Sequence, residues 1–324
     1  MKIIQFIFIV CLHFIYTNVN AQYKTITVAK DQQADFTSIQ EAINSLRDLG
    51  PDQALIVVKN GVYHEKIRIP SWKHKIKIKG EDSEKTIITN NDFSGKIDDL
   101  TNQKMTTYSS YTFLVEADDI QLENLTIQNE SCNQGQAVAL HVEGDKFVAK
   151  NIRLLGCQDT LYTATNRSRQ YYQNCYIEGT TDFIFGEAIA VFEQCTIKSL
   201  ANSYITAAAT HQEREFGYVF FDCSLIAENN LTKVYLGRPW RPFAKTVFIH
   251  TEMGKHILPI GWNEWKGDAM FPDKEKTAYY AEYKNKGLGN NPQKRANWSH
   301  QLTEKEIQKY TIENIFNGWN PKQN

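Results

Sequence analysis

One four-residue pattern recurs through the middle of the chain: a polar residue, an apolar one, a variable one and a second apolar one. It reads Asn124-Leu125-Thr126-Ile127, Asn151-Ile152-Arg153-Leu154, Asn174-Cys175-Tyr176-Ile177, Gln194-Cys195-Thr196-Ile197 and Asp222-Cys223-Ser224-Leu225. The polar anchors lie 27, 23, 20 and 28 residues apart. Apolar residues at alternate positions predict short strands, and the shared phase sends Leu125, Ile152, Cys175, Cys195 and Cys223 into one interior. Strand repeats of this length, with few helical stretches and Gly or Asn at the turns, predict an all-β, single-domain, right-handed parallel β-helix whose coils stack about 4.8 Å apart. The right hand is an expectation of the fold class, since the spacing itself carries no handedness.

The flanks fit a solenoid with covered ends. Ile39, Ala42, Ile43 and Leu46 recur at helical spacing behind Thr37 or Ser38 as N-cap, which predicts a short amphipathic helix closing the N-terminal end. Thr303-Glu304-Lys305-Glu306 reads as a capping box that opens a helix toward Phe316. Between Lys73 and Lys79, lysines alternate with Ile76 and Ile78, as in one strand with a solvated basic face. No Pro- or Ser-rich linker breaks the chain, so residues 22–324 are read as one domain.

The first residues follow a different pattern. Met1 and Lys2 precede an apolar run from Ile3 to Tyr16, and Val19-Asn20-Ala21 ends on a small residue, the layout of a secretory signal peptide over residues 1–21. The run is interrupted by Gln5 and His13 and falls short of the roughly 20 residues that span a bilayer, so no membrane anchor is expected. The mature chain would begin at Gln22 and be secreted or periplasmic.

Composition excludes several classes. The 324 residues are 42% hydrophobic and 23% charged, unlike a disordered chain or a polytopic membrane protein. Thirty-six Lys and Arg against 37 Asp and Glu give a net charge of -1, with no bulk electrostatic reason to bind nucleic acid or an anionic membrane. Beyond the leader, Cys132, Cys157, Cys175, Cys195 and Cys223 form an odd set, so at least one thiol is free, and their spacings match no zinc pattern. The last three share a column with Leu125 and Ile152 and are read as buried thiols. Asn124, Asn129, Asn166, Asn230 and Asn297 open N-x-Ser/Thr sequons.

The register also places chemistry. Asp159 and Asp182 each lie eight residues after their anchors, Asn151 and Asn174. Two carboxylates therefore share a column on neighbouring coils, with backbones about 5 Å apart. Gln158 falls in the adjoining column, and Gln136 joins it on the preceding coil if the extra residues of the longer repeat loop out before it. Carboxylates this close titrate apart, one as acid and one as carboxylate. A turn ladder of Asn and Asp would give the same spacing, but the neighbouring Gln158-Asp159-Thr160-Leu161-Tyr162 and Asp182-Phe183-Ile184-Phe185-Gly186 add the rings of a carbohydrate cleft. The pair suits a retaining glycosidase and equally ester hydrolysis through an aspartate nucleophile. The glutamines favour the ester, because side-chain amides aimed at one point stabilise an acyl oxyanion.

These residues resemble the pectin methylesterase (pectinesterase) family. Five separated motifs carry the resemblance, in the family's order: Gly61-Val62-Tyr63-His64-Glu65, Gln136-Ala137-Val138-Ala139-Leu140, Gln158-Asp159-Thr160-Leu161, Asp182-Phe183-Ile184-Phe185-Gly186 and Leu236-Gly237-Arg238-Pro239-Trp240. Looser similarity runs from about Asp35 to Trp298. The resemblance implies a right-handed parallel β-helix that removes C6 methyl esters from galacturonate units of methylesterified homogalacturonan (pectin). It implies Asp182 as nucleophile, Asp159 as acid and then base, Gln136 and Gln158 as oxyanion donors, and Arg238 as the group that holds Asp182 ionised with a lowered pKa. Tyr162, Phe185 and Trp240 match positions that line the substrate groove. Tyr63 and Glu65 read as structural, and His64 matches no catalytic position. No metal or organic cofactor is implied, and a capped solenoid is expected to be a monomer. Too few residues precede the first strand for the helical pro-region of many plant relatives, so the chain is expected to be active as exported. The competing readings are a pectate lyase or polygalacturonase on the same architecture, and a silent β-helix that only binds polysaccharide. A lyase would need clustered acids for Ca²⁺, and a silent binder would lack part of the five-residue set.

Overall fold

The computed structural model describes residues 24–31 and 33–323; the expected leader, residues 1–21, lies outside them. Each circuit of the chain lays down three short strands. Phe147–Lys150, Arg153–Leu155 and Leu161–Thr163 make one coil, and Arg169–Gln173, Tyr176–Gly179 and Ile184–Gly186 make the next. Equivalent strands of successive coils pair in parallel, giving three sheets of 11, 8 and 7 strands among the described residues. The first runs from Lys24–Val28 to His300–Gln301, the second from Gly61–His64 to Glu252–Met253, and the third from Ile67–Ile69 to Tyr235–Gly237. The protein is a right-handed parallel β-helix, the hand that parallel crossovers take.

The polar anchors of the repeat have a conformational cause. Asn124, Asn151, Asn174, Gln194 and Asp222 all have φ between 51° and 55°, the left-handed region that Asn and Asp enter most readily. This bend carries the chain from the 11-stranded to the 8-stranded sheet, and the next residue turns inward. Leu125, Ile152, Cys175, Cys195 and Cys223 are each at most 1% exposed. The column runs two coils beyond the sequence pattern. His250 and Lys284 take the same bend at φ 52° and 45°, but the inward residues that follow, Thr251 and Asn285, are polar and satisfy each other through a 2.8 Å bond from the Thr251 amide to Asn285 Oδ1.

Inside the coils, one register position is aromatic. Tyr172, Phe192, Phe220 and Phe248 stack with ring centroids 4.8, 4.5 and 4.3 Å apart. Cys175, Cys195 and Cys223 are buried free thiols. Cys132 and Cys157 form a disulfide across adjacent coils, with Cα atoms 5.3 Å apart. Asn129 is buried, and its amide donates to the carbonyls of Asp92, Ser110 and Val138; that sequon is closed to a glycan in the folded chain.

The N-terminal helix spans Ile39–Ser45 with Ser38 as N-cap. Glu65 accepts from the backbone amides of Ile39 and Gln40 at 3.1 and 3.0 Å, placing its negative charge at the helix N-terminus. The Tyr63 hydroxyl donates to the Lys59 carbonyl at 2.8 Å. The Gly61–Glu65 motif thus ties the cap to the coils. Two expectations are corrected. The strand near Lys73 is only Ile76–Gly80, and its charges are paired: Lys77 and Lys79 meet Glu123 at 2.5 and 3.0 Å. Lys73 is buried at the C-terminus of the helix, donating to the Asn44 and Leu46 carbonyls. Thr303 and Glu306 do make reciprocal capping bonds, but only a single turn at Ile307–Lys309 and a short helix, Ile312–Ile315, follow. The break falls at Tyr310, whose ring packs against Phe216 at 5.4 Å, and Thr311 caps the helix that follows. This segment covers the outer face of the 11-stranded sheet, where Ile315 and Phe316 join Tyr171, Val191 and Val219.

Candidate active site

In the 7-stranded sheet Leu161 pairs with Ile184, so Asp159 and Asp182, two residues earlier, hold the same position on adjacent coils. The ladder is intact at this point. The Asp159 amide donates to the Thr181 carbonyl at 3.1 Å and the Asp182 amide to the Tyr204 carbonyl at 2.8 Å. Both aspartates are left-handed, φ 67° and 49°, a bend that Asp tolerates. The strand beyond Asp182 ends at Gly186, where φ is 129° and a Cβ would lie 2.1 Å from the Thr163 carbonyl oxygen; only glycine fits there.

The glutamines join as the register predicts. The Ala137 amide donates to the Gln158 carbonyl at 3.1 Å, which sets the Gln136 coil directly on the Gln158 coil, and the extra residues of the longer repeat loop out before Gln136. Gln136, Gln158, Asp159, Asp182, Phe185, Arg238 and Trp240 line one cleft of about 210 Å³ together with Thr107, Tyr108, Ala207 and Trp265. A larger surface cleft shares Trp265, but its wall of Glu264, Asp268, Asp273 and Glu275 is ill suited to an acidic polymer.

The two carboxyls differ in their partners. Arg238 grips Asp182 with both arms, Nε to Oδ1 at 3.0 Å and an Nη to Oδ2 at 2.5 Å, the planar fork that arginine offers a carboxylate. Its guanidinium lies 4.0 Å from the centre of the Tyr204 ring and 3.6 Å from that of Trp265. Burial pushes Asp159 up, the neighbouring Asp182 adds to this, and Arg238 pulls back; the result is about 8. Burial also raises Asp182, while the hydrogen bonds and charge of Arg238, with Lys274, draw it down. The expected net lowering of Asp182 is therefore not found, because burial outweighs the guanidinium. What separates the two is the partner: Asp182 is gripped by the guanidinium, and Asp159 has no such cation bonded to it among the described residues and is pushed up to about 8.

The aromatic positions divide. Phe185 and Trp240 line the cleft, with ring centroids 5.8 Å apart. Tyr162, 8% exposed, is the register partner of Phe185 on the preceding coil and stacks on it at 4.6 Å, so its ring continues the same outward face one coil along. Tyr108, 5.3 Å from Tyr162, and Trp265 join Phe185 and Trp240 in the cleft wall. Both come from loops outside the repeat; the signal each carries is an aromatic residue in a polar stretch with no periodic apolar partner.

The sequence model of the family described as Pectinesterase matches residues 25–319. The chain belongs to the pectinesterase family. Pectinesterase 31 of Arabidopsis thaliana is 34% identical over 291 residues, covering 88% of this chain and 90% of that protein. Among solved structures, pectin methylesterase from carrot aligns with a TM-score of 0.82 at 29% identity, covering 90% of this chain and 93% of that one. A pectin methylesterase in complex with a hexasaccharide aligns at 0.81 and 27% identity, covering 93% and 99%. The chain spans about half the length of several other curated relatives, among them proteins of Arabidopsis thaliana and Brassica napus described as probable pectinesterase/pectinesterase inhibitors. In this pectinesterase-family chain, four of the five motifs of the sequence supply the column of carboxylates, the glutamines and the arginine, while the loops supply Tyr108 and Trp265.

Proposed function

We propose that the protein is a carboxylic ester hydrolase that removes methyl esters from C6 of galacturonate units in pectin, giving methanol and pectate. The observation that carries this reading is the unequal pair: two carboxyls on adjacent coils, one gripped by Arg238 and the other held protonated by burial. Asp182 attacks the ester carbonyl, and the Gln136 and Gln158 amides donate to the oxyanion as it forms. Asp159 gives its proton to the departing methanol, leaving a mixed anhydride between Asp182 and the sugar acid. Asp159, now a carboxylate, takes a proton from water; the hydroxide attacks the C6 carbonyl, and Asp182 leaves as carboxylate. One water is consumed and one methanol released. Phe185, Trp240, Tyr108 and Trp265 give the sugar faces apolar surfaces to pack on. The pattern of residues 1–21 and the Cys132–Cys157 disulfide both support export, because disulfides persist in oxidising compartments.

The test is methanol release from highly methylated pectin, with viscosity and the absorbance of unsaturated uronide followed in the same sample. Methanol without loss of viscosity supports the esterase. Chain scission or unsaturated product without methanol would replace it with a polysaccharide hydrolase or lyase on the same fold.

A further inference from the structure

Next to the Arg238–Asp182 pair stands a second cation that the mechanism leaves unused. Lys274 is 1% exposed. Its ammonium pairs with Asp268 at 2.7 Å, reaches the Trp240 carbonyl at 3.5 Å and lies 4.4 Å from the centre of the Trp265 ring. The same indole carries the Arg238 guanidinium at 3.6 Å. One buried lysine thus touches both tryptophans of the cleft, and one of them touches the arginine that grips Asp182. Burying an ammonium is unfavourable unless it is paired, and attraction to an indole face adds order as well as energy.

We propose that Lys274 is a positioning residue for the ester hydrolysis assigned above: it holds Trp265 against Arg238, fixes the Trp240 wall, and adds a standing positive charge to the field at Asp182. The inference rests on Asp182 as the nucleophile. The groups facing Asp182 are Arg238, Asp159, Lys274 and the buried Tyr280 phenol; those facing Lys274 are Asp268, Arg241 and Arg238. Removing the ammonium takes away one of the two cations that favour ionised Asp182, so Asp182 takes up its proton at higher pH. The acid limb of kcat/KM then moves upward.

The experiment compares Lys274→Met, Lys274→Gln and Lys274→Arg with the wild type, following methanol release against pH, with thermal melts of each and Asp182→Asn as reference. For the Met and Gln variants the expected result is a kcat about 10-fold lower and an acid limb shifted up by roughly 0.3 to 1 pH unit. The Arg variant keeps the charge and restores the limb. If Lys274→Met does not fold, Lys274→Gln, which keeps a polar group toward Asp268 and the Trp240 carbonyl, carries the same comparison. Variants that melt lower yet retain the wild-type acid limb and kcat would make Lys274 a stability residue and overturn the proposal. Wild-type turnover in Asp182→Asn would instead bring down the nucleophile assignment beneath it, whatever the lysine variants do.

Discussion

Asp159 and Asp182 have equivalent backbone positions and equal burial, and the difference between them comes from one guanidinium. Asp159 titrates near 8 in the folded chain against 3.8 as its ordinary value. Between those values the folded state binds a proton that the unfolded chain has lost, so stability is full below about pH 4 and declines as pH rises toward 8. Asp159→Asn removes that decline: the variant should melt above the wild type at pH 8, by a few kcal/mol in stability, and show no such gain at pH 3.5. Equal differences at both pH values would mean that the gain is packing and not ionisation. The same variant should lose turnover, and wild-type activity should fall as pH passes about 8, where the acid is no longer protonated. Asp182→Asn should abolish turnover with folding intact, because the nucleophile is lost with little change of shape. Gln158→Ala should lower kcat about 10²-fold or more as an oxyanion donor; a negligible loss would return glycosidic chemistry to consideration.

At the scale of elements, what was legible in the sequence is what repeats. The anchors at Asn124, Asn151, Asn174, Gln194 and Asp222 must take a left-handed bend, and the residue after each must be buried; that constraint on residue type made the coils, and with them the aspartate column, visible. The column faded at Thr251 and Asn285 because polar inward residues can satisfy each other. The helix expected toward Phe316 is interrupted at Tyr310, whose ring packs against Phe216, a tertiary contact that local propensity cannot register. Trp265, Tyr108 and Lys274 sit on loops with no period to betray them. The Cys132–Cys157 bond was also hidden, since connectivity does not follow from spacing. It ties the loop carrying Gln136 to the residue just before Gln158 and closes a loop of 25 residues. Replacing both cysteines by serine should lower stability by roughly 3 kcal/mol, and a reductant should produce the same shift in the wild type but none in the double variant. A melt indifferent to both treatments would show that neighbouring strand pairs alone hold this region.

For the whole molecule, the problem of a solenoid is its end, because each coil is stabilised by the next. The aromatic stack stops at Phe248, whose register partner on the following coil is Glu282, a buried carboxylate where another ring would stand. Arg295 meets it with Nε to Oε1 at 2.7 Å and an Nη to Oε2 at 3.1 Å. The same guanidinium donates to the carbonyls of Leu258, Pro259 and Gly289 at 3.1, 3.0 and 2.9 Å. One side chain thereby neutralises the core's last acid and ties two loops across the end of the coils. A buried pair of this kind is strongly destabilised when one member is removed, because the other is left charged and unpaired, whereas replacing both by apolar groups can be nearly neutral. Arg295→Met should therefore cost roughly 3–5 kcal/mol in urea unfolding, and Glu282→Met combined with Arg295→Met should recover much of that loss. The residual loss in the double variant measures the carbonyl contacts, which apolar side chains cannot replace. Since Gly237 bridges to Trp262, one residue from Arg238, loosening this end should also lower turnover in the single variant before global unfolding. Single and double variants that unfold alike would show that the end is held by the guanidinium's bonds to the loops rather than by relief of a buried charge.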